Sequence, residues 1–206
     1  MEDPLSLADW RRQISEIYAE VRKAPIAGRH VAWQDWRAAG NELLKNHPQS
    51  PLDAGQRSQF RGLPYFAYEP KCRVVGTFEP ADLEKLVELD LGNEGSIILI
   101  QVGQVKFTLL EHSAFLNAYW IEGYGGGLFI PFRVLSNGVT SYGGGRYLFD
   151  TIKGADLGTN RNEVNMDFNY RYNPSCAYHQ QWICPLPPHD NSLSFSVTAG
   201  EKFHSS

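Results

Sequence analysis

The sequence lacks the features that mark membrane, secreted or nucleic-acid-binding proteins. No apolar run approaches the roughly 20 residues that a membrane-spanning helix needs, and the N-terminal MEDPLSLADWRR contains no apolar signal segment. No Asn-x-Ser/Thr glycosylation acceptor occurs. Positive charge is not in excess either, because 19 Lys and Arg residues face 23 Asp and Glu residues. We therefore expect no membrane insertion and no nucleic-acid partner.

Cysteine is scarce, and its odd number excludes a closed disulfide framework. The three residues are Cys72, Cys176 and Cys184. In a reducing compartment such residues are usually free thiols, so we expect a cytoplasmic protein. A disulfide between Cys176 and Cys184 would contribute roughly 2.5 kcal/mol if it formed, but the expected location disfavours it.

Apolar and aromatic residues are abundant enough for a packed core. They make up 42% and 13% of the 206 residues, whereas charged residues make up 20%. This composition is typical of a folded protein. We expect one folding unit with a helical segment over residues 1–50 and a β-rich domain over residues 51–206.

Two amphipathic helices are predicted at the N-terminus. Apolar residues recur at helical spacing from Ser6 to Lys23 and from Arg29 to Asn46, and the second helix ends before His47-Pro48. Trp33 and Trp36 lie on the second helix, where tryptophans are more often docking residues than ligand contacts. A homodimer joined through these helices is one hypothesis.

The hydrophobic period changes to two after Gly55, which indicates a β domain. Short, closely connected strands are typical of an antiparallel barrel or sandwich, so the fold class is mainly β (α+β) with two N-terminal helices. Asn137-Gly138 predicts a tight hairpin with a type I′ turn, because such turns need positive φ at both central residues. The nine predicted strands are Cys72–Phe78, Lys85–Leu91, Ser96–Val102, Val105–Glu111, Phe115–Glu122, Leu128–Leu135, Val139–Phe149, Glu163–Tyr170 and Ser192–Thr198.

The segment SYGGGRYLFD is the first candidate site. Gly143, Gly144 and Gly145 can expose backbone N–H groups beside Arg146, whose planar guanidinium suits a carboxylate or phosphate. The alternative is a glycine bulge that lets the strand curl, with Arg146 paired to a nearby acid such as Asp150. The glycines have no strand-to-helix context, so they do not predict a nucleotide loop.

A polar row along one candidate strand is the second site. Its members are Glu163, Asn165, Asp167 and Asn169. Four oxygen-bearing side chains on one face could hold a hard cation or supply a general base. More often such a row is the solvated face of an antiparallel strand.

The third candidate combines thiols and imidazoles at the spacing of a zinc site: Cys176, His179, Cys184 and His189. Trp182 and the rigid PLPP run oppose this hypothesis, because a zinc knuckle needs glycines and tight turns. Zinc is therefore the less favoured alternative, and no cofactor is assigned. No hydrolase, metalloprotease or Walker motif is present, so the sequence does not assign an enzymatic activity.

Several blocks resemble a known family between Arg37 and Lys202. They are RAAGNELLKNHPQSPLDAGQRSQFRGLPYF, LFIPF, TSYGGGRYL, MDFNYRYNPSCAY and CPLPPHDNSLSFSVTAGEK. Together they resemble the bacterial and archaeal family known as domain of unknown function 1684, which implies no activity, substrate or cofactor. His179 and His189 depart from the family pattern, which argues against zinc as a shared function.

Two hypotheses follow. In one, the GGGRY and DFN-x-x-YNP blocks form a pocket for a small anionic ligand. In the other, they form a buried polar network in a non-catalytic structural or interaction domain. The candidate ligand-binding residues are Gly143, Gly144, Gly145, Arg146, Tyr147, Asp167, Asn169, Tyr172, Asn173, Cys176, Tyr178 and Asn191.

Overall fold

The computed structural model describes residues 3–92 and 95–203. The α-helices of this part are α1 (Pro4–Lys23), α2 (Arg29–Asn46) and α3 (Ala54–Gln59). Its strands are β1 (Arg73–Asp90), β2 (Ser96–Leu109), β3 (His112–Ile121), β4 (Gly127–Phe132), β5 (Arg146–Asp150), β6 (Thr159–Asn160) and β7 (Glu163–Asp167). Short 3-10 helices include Phe168–Tyr170 and Ser175–Ala177. Within the described residues, no helix combines the length and apolar character needed to cross a membrane.

The two predicted N-terminal helices are confirmed. Helix α1 begins at Pro4 because the side chain of Asp3 accepts hydrogen bonds from the first free backbone N–H groups. Helix α2 ends at Asn46 because His47 precedes a proline and is extended. The sequence did not predict α3, which begins with a reciprocal capping box between Asp53 and Gln56.

All seven strands form one antiparallel sheet in the order β5-β4-β3-β2-β1-β7-β6. The mainly β class is confirmed, but the sheet does not close into the predicted barrel, and its strands do not divide into a sandwich. Tyr147 on the free edge of β5 exchanges two backbone hydrogen bonds with Tyr172, at 3.0 and 3.2 Å, which makes an isolated bridge and not a ladder. Strand β6, at the other edge of the sheet, has two residues and pairs with β7.

The predicted count of nine strands is wrong, and the main differences have local physical causes. Strand β1 joins two predicted strands across a register shift at Pro80, which has no N–H to donate. Strand β2 joins two more through Gly103, where an added Cβ would lie 2.3 Å from a β1 carbonyl oxygen. The predicted strand Ser192–Thr198 does not form: Ser192 makes an isolated bridge with Arg133, and farther along the carbonyls of Val197 and Ala199 accept from the Arg171 side chain. Strand β6 was not predicted.

The tight hairpin predicted at Asn137-Gly138 is also wrong. Strands β4 and β5 pair as antiparallel neighbours, but residues 133–145 connect them. Gly138 has a φ of 81°, whereas Asn137 is not among the residues with positive φ, so a type I′ turn does not form. The Asn137 side-chain oxygen instead accepts from the backbone N–H of Val134 at 3.1 Å, which bends the chain earlier.

Two hydrophobic clusters position the candidate site. The larger packs against the sheet and includes Val105, Leu116, Ile130, Phe132 and Phe168. The smaller joins the helices to the β-rich part and contains Tyr18, Val21, Trp33, Trp36, Ala155, Leu157 and Tyr170. Trp33 and Trp36 are therefore docking residues inside the chain and are not free for a homodimer contact. The division at residue 50 stays a prediction.

Candidate functional site

A cavity of about 150 Å³ lies between helices α1 and α2 and the β-rich part of the chain. Gly40 of α2 lies in its wall, and no atom lies within 4 Å of the position that a Cβ would take there, so free space reaches the helix backbone. An apolar cavity of roughly 150 Å³ can hold a molecule the size of benzene. The helical wall consists mainly of Trp10, Ile14, Ile17, Trp36, Leu43 and Leu44.

The opposite wall of the cavity carries polar side chains from the C-terminal third of the chain. Tyr172, Asn173 and Tyr178 line it, and all three were predicted as site residues from the sequence. Glu201 and Lys153 complete this wall. The cavity therefore has one apolar and one polar side, the arrangement typical of small-molecule sites.

The Glu201 carboxylate is the centre of the polar wall. It is 1% exposed and accepts hydrogen bonds at 2.9 Å from the Tyr178 hydroxyl, the Asn173 backbone N–H and the Asn173 side-chain amide. Burial raises the pKa of Glu201 to about 7, although these donors and the charge of Arg146 oppose the rise. Glu201 therefore holds its proton to a higher pH than an ordinary carboxyl group does, and it lines the cavity.

Arg146 does not line this cavity but lies in the core, 0% exposed. Its Nη1 donates to the backbone carbonyl of Glu201 at 3.1 Å, while Nε and Nη2 have no hydrogen-bond partner among the described residues. Burial lowers the pKa of Arg146 to about 9, which the charge of Glu201 opposes. The alternative in which Arg146 pairs with a nearby acid such as Asp150 is wrong for Asp150, because the only hydrogen bond of the Arg146 guanidinium among the described residues goes to the Glu201 backbone. The Asp150 carboxylate instead lies 3.7 Å from the Lys153 ammonium.

The glycine triplet before Arg146 is packed against its own chain. Gly145 has a φ of 92° and its N–H donates to the carbonyl of Tyr142 at 3.1 Å. An added Cβ would lie 2.6 Å from Pro187 at Gly145 and 2.4 Å from the Tyr142 ring at Gly144. At Gly143 nothing lies closer than 3.8 Å. Gly145 is therefore required for the close approach of the proline-rich loop to β5.

A second buried arginine, Arg171, escaped the sequence reasoning. It is 0% exposed, and its Nε and Nη2 donate to the backbone carbonyls of Ala199 and Val197. Burial and the charge of Arg146 hold the pKa of Arg171 well below its usual range. The two guanidinium carbons lie 5.8 and 5.7 Å from the ring centroid of Phe132. A single arginine in an aromatic run carries no pattern that would have predicted its burial.

Asp167 and Asn169 lie in a different place, where they hold the chain before β1. Strand β7 ends at Asp167, so Asn169 belongs to a 3-10 helix and not to the predicted strand. Both residues are at most 2% exposed, so the solvated-face alternative is wrong for them. The Asp167 carboxylate accepts from the Asn169 side chain at 2.7 Å, and that side chain bonds both backbone groups of Glu69 at 2.9 Å.

Asn191 and Tyr147 anchor the proline-rich loop to the sheet. The Asn191 side chain accepts from the backbone N–H of Asn117 at 2.7 Å and donates to the carbonyls of Asn117 and Pro131. The Tyr147 hydroxyl donates to the carbonyl of Pro185 at 2.9 Å. These two predicted site residues are buried within the protein and lie outside the cavity wall.

Cys176 and Cys184 meet, whereas the histidines of the predicted zinc set do not join them. The backbone N–H of Cys176 donates to the Cys184 sulfur at 3.3 Å. His179 Nε2 instead lies 3.5 Å from the Asp53 carboxylate, and His189 forms its hydrogen bond through the backbone carbonyl. Within the described part of the chain, no three His, Cys, Asp or Glu side chains group as metal ligands. The structure therefore does not bring the four predicted zinc ligands together, and the hard-cation hypothesis for the row from Glu163 to Asn169 stays a prediction.

Sequence reasoning missed the apolar cavity wall and its central carboxylate. The helical residues of the wall read as ordinary core positions, because periodicity does not show where packing is incomplete. Glu201 stands in the short segment AGEK, which resembles an exposed C-terminal end. The available signal was its place in the last block of the family resemblance, CPLPPHDNSLSFSVTAGEK.

Comparison with known proteins identifies the family of the chain. Residues 58–202 match the family described as "Protein of unknown function (DUF1684)". The chain is also similar to an uncharacterized protein of Haloarcula marismortui, known from a solution NMR structure, with 33% identity and a TM-score of 0.62. That similarity covers 84% of this chain and 92% of the other. No curated protein gives a match. The resemblance noted in the sequence is confirmed, and the chain belongs to the DUF1684 family.

Proposed function

We propose that the protein binds a small, mostly apolar molecule in the cavity beneath helices α1 and α2. The cavity itself carries this proposal, because it offers space for about one ring between an apolar wall and a polar wall. Apolar contacts with the helices supply most of the affinity. Tyr172, Asn173, Tyr178 and Glu201 orient the ligand through its polar group.

The polar wall favours a neutral ligand with a hydroxyl or N–H group over the anion predicted from the sequence. Glu201 is a buried acid, so an anionic group beside it is disfavoured. Lys153 lines the cavity and carries a positive charge. Its ammonium lies 3.7 Å from the Asp150 carboxylate, and the negative charge of Asp150 offsets it. Arg146, on which the anionic hypothesis depends, is held in the core.

The hypothesis of a buried polar network is supported by the same residues and fits with the cavity. Arg146 bonds the Glu201 backbone, while Asn173 and Tyr178 bond the Glu201 side chain. On this proposal the GGGRY and DFN-x-x-YNP blocks stabilise the polar wall of the cavity and do not bind an anion. The free thiols of the three cysteines support the cytoplasmic location expected from the sequence.

Tryptophan fluorescence tests the proposal directly, since Trp10 and Trp36 line the cavity. Cyclohexanol and cyclohexanecarboxylate are suitable probes, because they share one ring, do not fluoresce and differ in charge. We expect cyclohexanol to shift the emission saturably and to bind at least about tenfold more tightly than the carboxylate, a difference of roughly 1.4 kcal/mol. Stronger binding of cyclohexanecarboxylate would instead support the small anionic ligand predicted from the sequence.

A cavity-filling variant makes the test specific. Gly40→Leu places a side chain in the free space beside α2 and should abolish cyclohexanol binding. Ala38→Leu on the same helix is the matched control, because Ala38 is exposed and does not line the cavity. Equal binding by Gly40→Leu and the wild type, or no saturable binding by the wild type, would overturn the proposal.

A further inference from the structure

Cys176 and Cys184 form a contact between two thiols that the proposed function does not use. Cys176 lies in the 3-10 helix Ser175–Ala177, and its backbone N–H holds the Cys184 sulfur at 3.3 Å. Both cysteines are partly exposed, whereas Cys72 is 1% exposed. The two thiols are therefore in hydrogen-bonding contact, and neither residue is fully buried.

The surroundings make the two thiols chemically different. A hydrogen bond from the Cys184 thiol and another from the Tyr142 hydroxyl, at 3.6 Å, lower the pKa of Cys176 to about 6 in spite of partial burial. The same thiol–thiol contact raises the pKa of Cys184. These contacts favour the thiolate on Cys176 and the protonated thiol on Cys184.

We infer that Cys176 and Cys184 are a thiol–disulfide exchange site for small disulfides such as oxidised glutathione. The Cys176 thiolate attacks one sulfur of the small disulfide, breaks its S–S bond and releases one thiolate. The mixed disulfide carries no charge on Cys176, so the contact that held the proton on Cys184 is lost. That proton passes to the released thiolate.

The second step closes the protein disulfide. The Cys184 thiolate attacks the Cys176 sulfur and releases the remaining small thiolate. Two electrons have then moved from the two protein sulfurs to the small disulfide, which leaves as one thiol and one thiolate. The backbone N–H of Cys176 holds the resolving sulfur in place from the start, so the second step needs little rearrangement.

Mass spectrometry of the full chain in glutathione redox buffers tests the inference. After acid quenching and alkylation, the oxidised wild type should have lost two hydrogen atoms, carry no glutathionyl group and retain one alkylated thiol, Cys72. Cys184→Ala should keep a glutathionyl group on Cys176. Cys176→Ala should form no intramolecular disulfide, because it lacks the sulfur that attacks first and is then resolved. Cys72→Ala should form the same disulfide as the wild type and retain no alkylated thiol.

Measurements on the wild type alone also test the inference, so the test does not depend on whether the variants fold. At about pH 6.5 iodoacetamide should alkylate Cys176 at least about tenfold faster than it alkylates free glutathione. A wild-type chain that stays a dithiol in oxidised glutathione, or that accumulates the mixed disulfide, would overturn the inference. Alkylation of Cys176 at the rate of an ordinary thiol would do so too.

Discussion

Glu201 connects two unlike regions of the molecule. Its backbone carbonyl accepts from Arg146 in a packed core that also contains Arg171, whereas its carboxylate lines the cavity beneath α1 and α2. The core region holds two buried positive charges, and the cavity region holds space, apolar side chains and one buried acid. The difference indicates that buried charge serves the architecture in the core, while open space lies where the helices meet the β-rich part.

The arginines act in place of a missing strand. The carbonyls of Val197, Ala199 and Glu201 all accept hydrogen bonds from arginine side chains, and the chain bends between the last two at Gly200, where φ is 71°. Arg171 bonds the first two and Arg146 bonds the third. The guanidinium groups therefore satisfy backbone that would otherwise need a neighbouring strand.

Replacing Arg146 in the core region should have the largest effect on stability. We expect Arg146→Ala to lower the free energy of unfolding by about 3–5 kcal/mol, because it leaves a void and an unpaired carbonyl on Glu201. Urea unfolding measures this. Arg133→Ala is the control, since the partly exposed Arg133 also bonds a loop carbonyl, and a change within about 1 kcal/mol is expected. Unchanged stability of Arg146→Ala would indicate a ligand-binding role for Arg146.

Alanine substitutions at two positions of the glycine triplet test whether this loop has a structural role or an anion-binding role. Gly145→Ala should destabilise the fold by about 2–3 kcal/mol, because φ is 92° and the Cβ would meet Pro187. Gly143→Ala should change stability by less than about 0.5 kcal/mol, since its Cβ position is open. Thermal unfolding measures both. Equal effects at the two positions would contradict this account of the loop.

The pH dependence of stability tests whether the Glu201 carboxyl group beside the cavity is buried and titrates. The pKa of Glu201 is about 7 in the folded protein, above the ordinary value of 4.5, so the folded chain holds the proton more tightly than the unfolded chain. Stability must then fall as pH rises between these values. We expect the wild type to lose on the order of 2 kcal/mol over this range relative to Glu201→Gln. Parallel curves for the two proteins would contradict the burial of a titrating carboxyl.

Gly40→Ala has the smallest expected effect and tests the space itself. Glycine in a helix interior is disfavoured, and the Cβ position is free, so the variant should gain up to about 1 kcal/mol in unfolding free energy. Urea unfolding measures the gain, and fluorescence should show that cyclohexanol still binds. A loss of stability would mean that α2 packs more tightly at Gly40 than the cavity requires.

The sequence predicted the elements of the fold better than their assembly. Periodicity located α1, α2 and the core of most strands, because local side-chain patterns fix those elements. It divided β1 at Pro80 and β2 near Gly103, since it does not show that a strand continues across a bulge. The hairpin at Asn137 failed because side-chain capping of Val134 overrode the turn preference.

The candidate site was predicted in part for a related reason. Tyr172, Asn173 and Tyr178 were identified because polar residues cluster in one block, and all three line the cavity. Arg146 was identified by its charge, but charge in a sequence does not reveal burial. The cavity arises where two helices pack imperfectly on distant segments, and no local pattern records such a gap.

Backbone amide NMR during a cyclohexanol titration tests the central claim most directly, because it reports the cavity and the glycine–arginine loop in one experiment. The account predicts saturable shifts at Gly40, Ala155 and Ser175, which line the cavity, and none of comparable size at Gly143–Arg146. Shifts centred on Gly143–Arg146, with Gly40 and Ala155 unmoved, would contradict it.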